Sequence, residues 1–279
     1  MSNTPIGVFD SGIGGLTVAS AINRLLPAES TIYFGDTARV PYGPKSPDTV
    51  RRYAREILGW LLAQDVKAVV VACNTVTAHA LDDLRERSPV PVIGVIEPGA
   101  RAAASASSSG KVGVIGTVGT IASGAYPRAL HRIRPELTVI DRACPLFVPL
   151  VEEGWFERDA TRLVAEEYLA PLRAARVDAL VLGCTHYPML KPLLRQVMGD
   201  EVRLIDSADE TARELASVLA ATGIAADPAS IATHRWVATD DAERFARVGS
   251  VFMSGSPAPV EIVELGSEVR SAEGREAHR

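Results

Sequence analysis

VKAVVVACNT (residues 66–75) and VDALVLGCTH (residues 177–186) are built alike. Each starts on a valine, runs through a short apolar stretch, and breaks at a cysteine followed by hydrogen-bonding side chains. An apolar run of this length, with no polar alternation, is the pattern of a strand buried on both faces of a sheet. The two stretches align position for position, which puts Cys73 and Cys184 in the same register. Their separation is far longer than the roughly 20–50 residues of a solenoid repeat. The pattern therefore predicts two similar α/β units, each carrying a cysteine at the end of a buried strand.

The neighbouring sequence repeats in the same order. IGVFDSG (6–12), TIYFGD (31–36) and VPVIGVIEP (90–98) read as further strands of a first unit. KVGVIGT (111–117), LTVID (137–141) and RLIDS (203–207) read as their counterparts in a second. Amphipathic stretches lie between, such as Thr49–Gln64 with Val50, Tyr53, Ile57, Trp60 and Leu61 at helical spacing. Apolar strands alternating with helices predict parallel sheets covered on both faces. The expected fold is α/β, with two similar, pseudo-symmetric lobes of mostly parallel sheet and an active site in the cleft between them. The expected first lobe is discontinuous, residues 1–97 plus 208–266, and the second spans 98–207. The Ser/Ala-rich segment AAASASSSG (102–110) falls near the junction. The β-rich segment from HRWVATDD (234–241) to APVEIVEL (258–265) is expected to fold back on the first lobe. The charged tail, 267–279, is expected to be disordered.

Composition narrows the function. Lys and Arg number 29 against 34 Asp and Glu, for a net charge of −5 and no long basic run, which argues against nucleic acid as a partner. No apolar run approaches the roughly 20 residues that span a bilayer. The amino terminus, MSNTPIGVFD, lacks the basic and apolar regions of a secretory signal, so a cytoplasmic protein is expected, with no membrane partner. Three cysteines at 73, 144 and 184 make a poor disulfide framework. There is no Cys-x-x-Cys and no histidine pair at i, i+4, so no metal site is expected. Cys144, in DRACPLF, has no polar motif around it and reads as a small buried apolar residue.

In open parallel sheets, ligands collect beyond the carboxyl ends of the strands. Asp10, Cys73 and Cys184 all fall at such ends. Two thiols facing one carbon from opposite lobes can act as paired acid and base. One, as thiolate, removes a proton from the Cα of an amino acid, and the other returns a proton to the opposite face. Asp10 is placed to assist Cys73, and His186, two residues beyond Cys184, to assist that thiol. Ser11, Asn74, Thr75 and Thr185 supply neutral donors for substrate carboxylates. Asp10 could also cap the following helix, a role compatible with the first. Gly12, Gly14 and Gly15 suit a tight turn and a close helix approach.

FDSGIGGLTV, FGDTARVPYG, ACNT and LGCTHYP, in this order and spacing, resemble the cofactor-independent glutamate racemases of bacterial cell-wall synthesis. The resemblance covers roughly residues 5 to 265. It implies two α/β lobes with the active site between them, interconversion of L- and D-glutamate, no cofactor, and a homodimer. It also implies that Cys73 and Cys184 are the acid/base catalysts, with Asp10, His186 and Glu152 assisting. Asp10, Ser11, Tyr42, Gly43, Asn74, Thr75, Thr185 and His186 would contact substrate. Glu153 adjoins Glu152 and is the alternative for its role. Val76 stands where the family pattern more often has a small residue. An amino-terminal extension, tied in some members to activation by a cell-wall precursor, is not expected here, because the first strand begins at residue 6.

Other readings remain. A nucleotide-binding oxidoreductase is disfavoured because GIGGLT (12–17) misses the third glycine of G-x-G-x-x-G, and Gly113, Gly116 and Gly119 are wrongly spaced. A thiol redox protein would need the two cysteines within bridging distance. A non-catalytic amino-acid-binding module would bind glutamate without changing its optical activity. Aspartate racemase shares the two-lobe plan, and one methylene gives a pocket little to discriminate with.

Overall fold

The structure is a computed structural model, and it describes residues 4–253 and 255–265. The tail expected to be disordered, 267–279, lies outside the described residues. Among the described residues ten strands are formed: β1 (Ile6–Asp10), β2 (Thr31–Gly35), β3 (Ala68–Val71), β4 (Val92–Gly94) and β5 (Lys111–Gly116), then β6 (Thr138–Ala143), β7 (Ala179–Gly183), β8 (Arg203–Ile205), β9 (His234–Ala238) and β10 (Val260–Ile262). They make two sheets, ordered β10-β9-β2-β1-β3-β4 and β6-β5-β7-β8, and every pairing is parallel. Without β9 and β10 the first sheet runs β2-β1-β3-β4, the same order as the second. Strands β1, β2, β3 and β7 are buried along their whole length, because helices cover both faces.

The closing segment joins the first sheet. β9 pairs with β2, with Tyr33 opposite Trp236, and the Tyr33 ring also meets Phe245 at 5.9 Å between centroids. This aromatic packing anchors the helix Ala242–Phe252 above that sheet. The helix Ala208–Thr222 packs against both Leu16–Leu25 and Ile96–Ala106, so it bridges elements associated with the two sheets.

Local chemistry shifts some boundaries from those expected. The amphipathic helix expected over Thr49–Gln64 covers Pro47–Leu62, because Ser46 accepts from the Thr49 N–H and Pro47 fits the first turn. The strand expected over 90–98 is only Val92–Gly94. A helix takes over at Ile96, where Pro98 lies in the first turn and forfeits no intrahelical bond. The Ser/Ala-rich segment is helical to Ala106. Its serines then wrap the Asp178 carboxylate, which accepts from Ser107 Oγ at 2.6 Å and from the Ser108 and Ser109 N–H groups at 2.8 and 2.6 Å. Among the described residues no helix is long and apolar enough to cross a membrane.

Candidate active site

A cavity of about 410 Å³ opens beyond the carboxyl ends of β1, β3, β5 and β7, with walls drawn from both sheets' connections. Its size suits a small-molecule ligand. Cys73 lies just beyond β3 at the N-cap of the helix Asn74–Arg87, and Cys184 directly follows β7. Both are almost buried, 6% and 7% exposed, and both line this cavity. Of the other expected site residues, Ser11, Tyr42, Gly43, Asn74, Thr75, Glu152, Thr185 and His186 also line it.

Asp10 is different. It sits behind the wall, fully buried, and its Oδ2 turns back to accept from the Gly12 N–H at 3.1 Å. Asp10 thus supports the loop 11–15 through Oδ2, while its buried Oδ1 has no hydrogen-bond partner among the described residues. The N-cap of the helix Leu16–Leu25 is Gly15, not Asp10. Burial raises the Asp10 pKa, with the charge of His186 and the loop N–H groups pulling the other way. Burial and the Asp10 charge together push the Cys73 thiol up to about 12. Cys73 Sγ donates to Ser11 Oγ at 3.5 Å.

The Cys184 side is a chain of contacts. His186 Nδ1 lies 3.9 Å from Cys184 Sγ, and its Nε2 is 3.0 Å from Glu152 Oε1. The other Glu152 oxygen accepts from Arg244 Nη2 at 2.9 Å. Burial disfavours charge on His186, but its bonds to Cys184 and Glu152 outweigh this and carry its pKa up to about 10. Burial also disfavours charge on Glu152, yet His186 and Arg244 hold its carboxyl below the usual range. Phe252 packs edge-on against the imidazole at 5.3 Å. Between Glu152 and Glu153, the structure selects Glu152: Glu153 is exposed, while Glu152 reaches the histidine.

Polar residues that follow strands of the first sheet bind across to residues that follow strands of the second. Asn74 Oδ1 accepts from Tyr126 at 2.7 Å, which leaves its buried Nδ2 without a protein partner. Thr75 Oγ1 is 2.8 Å from Thr117 Oγ1, and the Gly119 N–H donates to Gly43 O at 2.9 Å. Tyr42 donates its hydroxyl proton to Asp36, so that group could meet a ligand only as an acceptor. Val76 is fully buried in the apolar core beside the first sheet, so the larger side chain is accommodated. Gly14 passes so close to Thr185 and His186 that a methyl group there would lie 2.4 Å from each. The closest packing in the site depends on that missing side chain.

The sequence reading missed several contributors. Thr117 and Val118 line the cavity, and Thr117 follows β5 as Ser11 follows β1, so the repeat carried the signal. Val40, Pro41, Val148 and Pro149 supply apolar wall. Arg244, Phe252 and Tyr126 act on the polar residues from elsewhere in the chain, and no local pattern marks them. Cys144 is fully buried outside the cavity wall, as a small apolar residue would be.

Residues 6–215 match the family described as Asp/Glu/hydantoin racemase. A glutamate racemase of Geobacter metallireducens is 53% identical over 263 residues, 94% of this chain and 97% of the relative. Among solved structures, a glutamate racemase isoform of Bacillus anthracis superposes with a TM-score of 0.90 at 43% identity, covering 94% of this chain and 98% of that one. A Francisella tularensis glutamate racemase in complex with D-glutamate gives 0.90 at 39% identity, covering 96% and 100%. A match this extensive, with relatives alike in sequence and backbone nearly end to end, makes the chain a racemase: it belongs to the Asp/Glu/hydantoin racemase family.

Proposed function

We propose that this enzyme interconverts L-glutamate and D-glutamate by proton transfer at Cα between Cys73 and Cys184. The observation that carries the reading is that two thiols, at equivalent positions beyond strands of separate sheets, open into one cavity. A thiolate removes the Cα hydrogen as a proton, and the electron pair stays on the carbon and spreads into the carboxylate. The opposing thiol then protonates the other face. No electrons are exchanged with the protein, and the reading invokes neither cofactor nor metal.

With its pKa pushed up by burial and Asp10, Cys73 is the thiol at neutral pH. Protonated His186 is the natural counter-charge for a Cys184 thiolate. On this reading Cys184 takes the proton from L-glutamate, and Cys73 takes it from D-glutamate in reverse. Asp10 assists Cys73, while His186 and Glu152 assist Cys184. Ser11, Asn74, Thr75 and Thr185 hold the carboxylates through neutral donors, with the unpartnered Asn74 Nδ2 best placed to donate. Tyr42 and Gly43 contribute wall at the mouth. Glutamate is preferred to aspartate because the relatives are named for it, one with D-glutamate bound. On this reading the enzyme is a cytoplasmic homodimer that supplies D-glutamate for peptidoglycan, and its two lobes divide at 1–97 plus 208–266 and 98–207.

L-Glutamate incubated with purified enzyme in deuterium oxide tests this by chiral chromatography and mass spectrometry. Both enantiomers should appear, with deuterium at Cα and no added pyridoxal phosphate or metal. Retention of pure L-glutamate, or activity that a chelator removes and a metal restores, would overturn it.

A further inference from the structure

The helix Ala242–Phe252 touches the Cys184 side of the site at both ends. Arg244, in its first turn, pairs with Glu152 Oε2, and Phe252, in its last, packs on the His186 ring. The helix start is fixed from two directions. Asp241 accepts from the Arg244 N–H at 2.9 Å. The preceding Asp240 exchanges hydrogen bonds with Thr37, its N–H donating to Thr37 Oγ1 at 2.8 Å and its carbonyl accepting from the same hydroxyl at 2.6 Å. Arg244 is thus held by the first sheet's connections, while Glu152 follows β6 of the second sheet. The ion pair crosses between them.

Glu152 has two carboxylate oxygens and two partners, one on each. Binding both oxygens fixes the rotation of the carboxylate, and that rotation aims the imidazole at Cys184. With only the histidine as partner, the carboxylate could turn or take its second bond from water, and the imidazole would lose its fixed orientation. We propose that Arg244 is a positioning residue for the reaction: by occupying one Glu152 oxygen it holds the other on His186 Nε2, and so keeps Nδ1 on the Cys184 sulfur. The role rests on the two-thiol reading. The Arg244 side chain is 44% exposed, so the pair adds little to folding, and its loss should be read in catalysis rather than in stability.

The test uses Arg244→Met, which removes charge and keeps reach, and Arg244→Lys, which keeps charge. Thermal melts of both should match the parent. Because the two enantiomers are equal in free energy, kcat/KM must fall equally in both directions. A small displacement of a catalytic group can cost on the order of 10²-fold, and for Arg244→Met a loss of about tenfold is expected, mainly in kcat. The acidic limb of the kcat profile should move to higher pH, since Glu152 without its cation protonates more readily. Cys184 and Asp10 interact with His186 rather than with this pair, and neither is altered. Arg244→Lys should recover most of the rate and the original limb. Wild-type kcat and pH profile in Arg244→Met overturn the proposal, as does a slowed Met variant whose limb stays put and which lysine fails to rescue. Cys73→Ser and Cys184→Ser are assayed alongside. If those two racemise normally, the two-thiol reading fails; if they are inactive and Arg244→Met is normal, only the Arg244 role fails.

Discussion

Gly14→Ala puts one methyl group where the site has no room. The added carbon would lie 2.4 Å from both His186 Nδ1 and Thr185 Oγ1, and 2.5 Å from His186 Cε1, where ordinary contact begins near 3.4 Å. About 1 Å must be yielded by one side or the other. The loop is poorly placed to yield it. Gly12 N–H is bound to Asp10, Gly12 O accepts from Tyr33 at 2.9 Å, and Gly14 O accepts from Thr17 Oγ1 at 2.9 Å. His186 therefore moves, and either its 3.0 Å bond to Glu152 or its contact with the Cys184 sulfur is lost. Overpacking of this kind costs about 1–3 kcal/mol, which for a chain of this size lowers Tm by about 2–4 °C per kcal/mol. A catalytic group displaced by about 1 Å can cost on the order of 10²-fold in kcat. Gly59→Ala is the control. It lies on the exposed side of the helix Pro47–Leu62 with nothing within 4 Å of the new carbon. It should stabilise by about 0.5–1 kcal/mol and keep wild-type kcat. Initial rates from chiral chromatography and a thermal melt read both variants. Wild-type kcat and Tm in Gly14→Ala would refute the steric account, and so would an equal loss in Gly59→Ala.

Cys73→Ser and Cys184→Ser should each abolish racemisation, because a serine hydroxyl is a far poorer proton carrier than a thiol. Cys73→Ser should still exchange the Cα hydrogen of L-glutamate for deuterium without inversion, which proton NMR would show; full racemisation by either variant contradicts the assignment. Tyr126→Phe removes the bond that orients the Asn74 amide, a loss of about 1 kcal/mol. KM for both enantiomers should rise about fivefold with kcat little changed, and steady-state kinetics showing an unchanged KM would count against Asn74 as a donor. As pH rises, His186 loses its proton through about 10, so kcat of the wild type should fall there. A pH profile of His186→Asn should lack that limb; its persistence would assign the limb to another group.

Strand burial was legible because it is a local property. A run such as AVVV at 68–71 has no polar side chain to expose, wherever in the molecule it lies. The repeat placed Cys73 and Cys184 at equivalent strand ends, and the two sheets share that strand order. Repetition along a chain carries the position of a residue within its unit, and two units of one pattern place two thiols alike. Convergence of side chains from distant segments is not a local property. Glu152 and Glu153 are neighbours in sequence, but the helix turns by about 100° between them, so only one can reach His186, and the packing of that helix chooses which. Asp10 has the expected strand end, but that one of its oxygens would be taken by the Gly12 N–H is decided by the fold of the loop that follows. Arg244 comes from a surface helix some ninety residues from its partner, with nothing in its own neighbourhood to mark it. Hydrogen bonds are short and directional, so which of two candidate groups meets a partner depends on sub-ångström placement by the whole packed molecule. Apolar periodicity records which face is buried and carries no such detail.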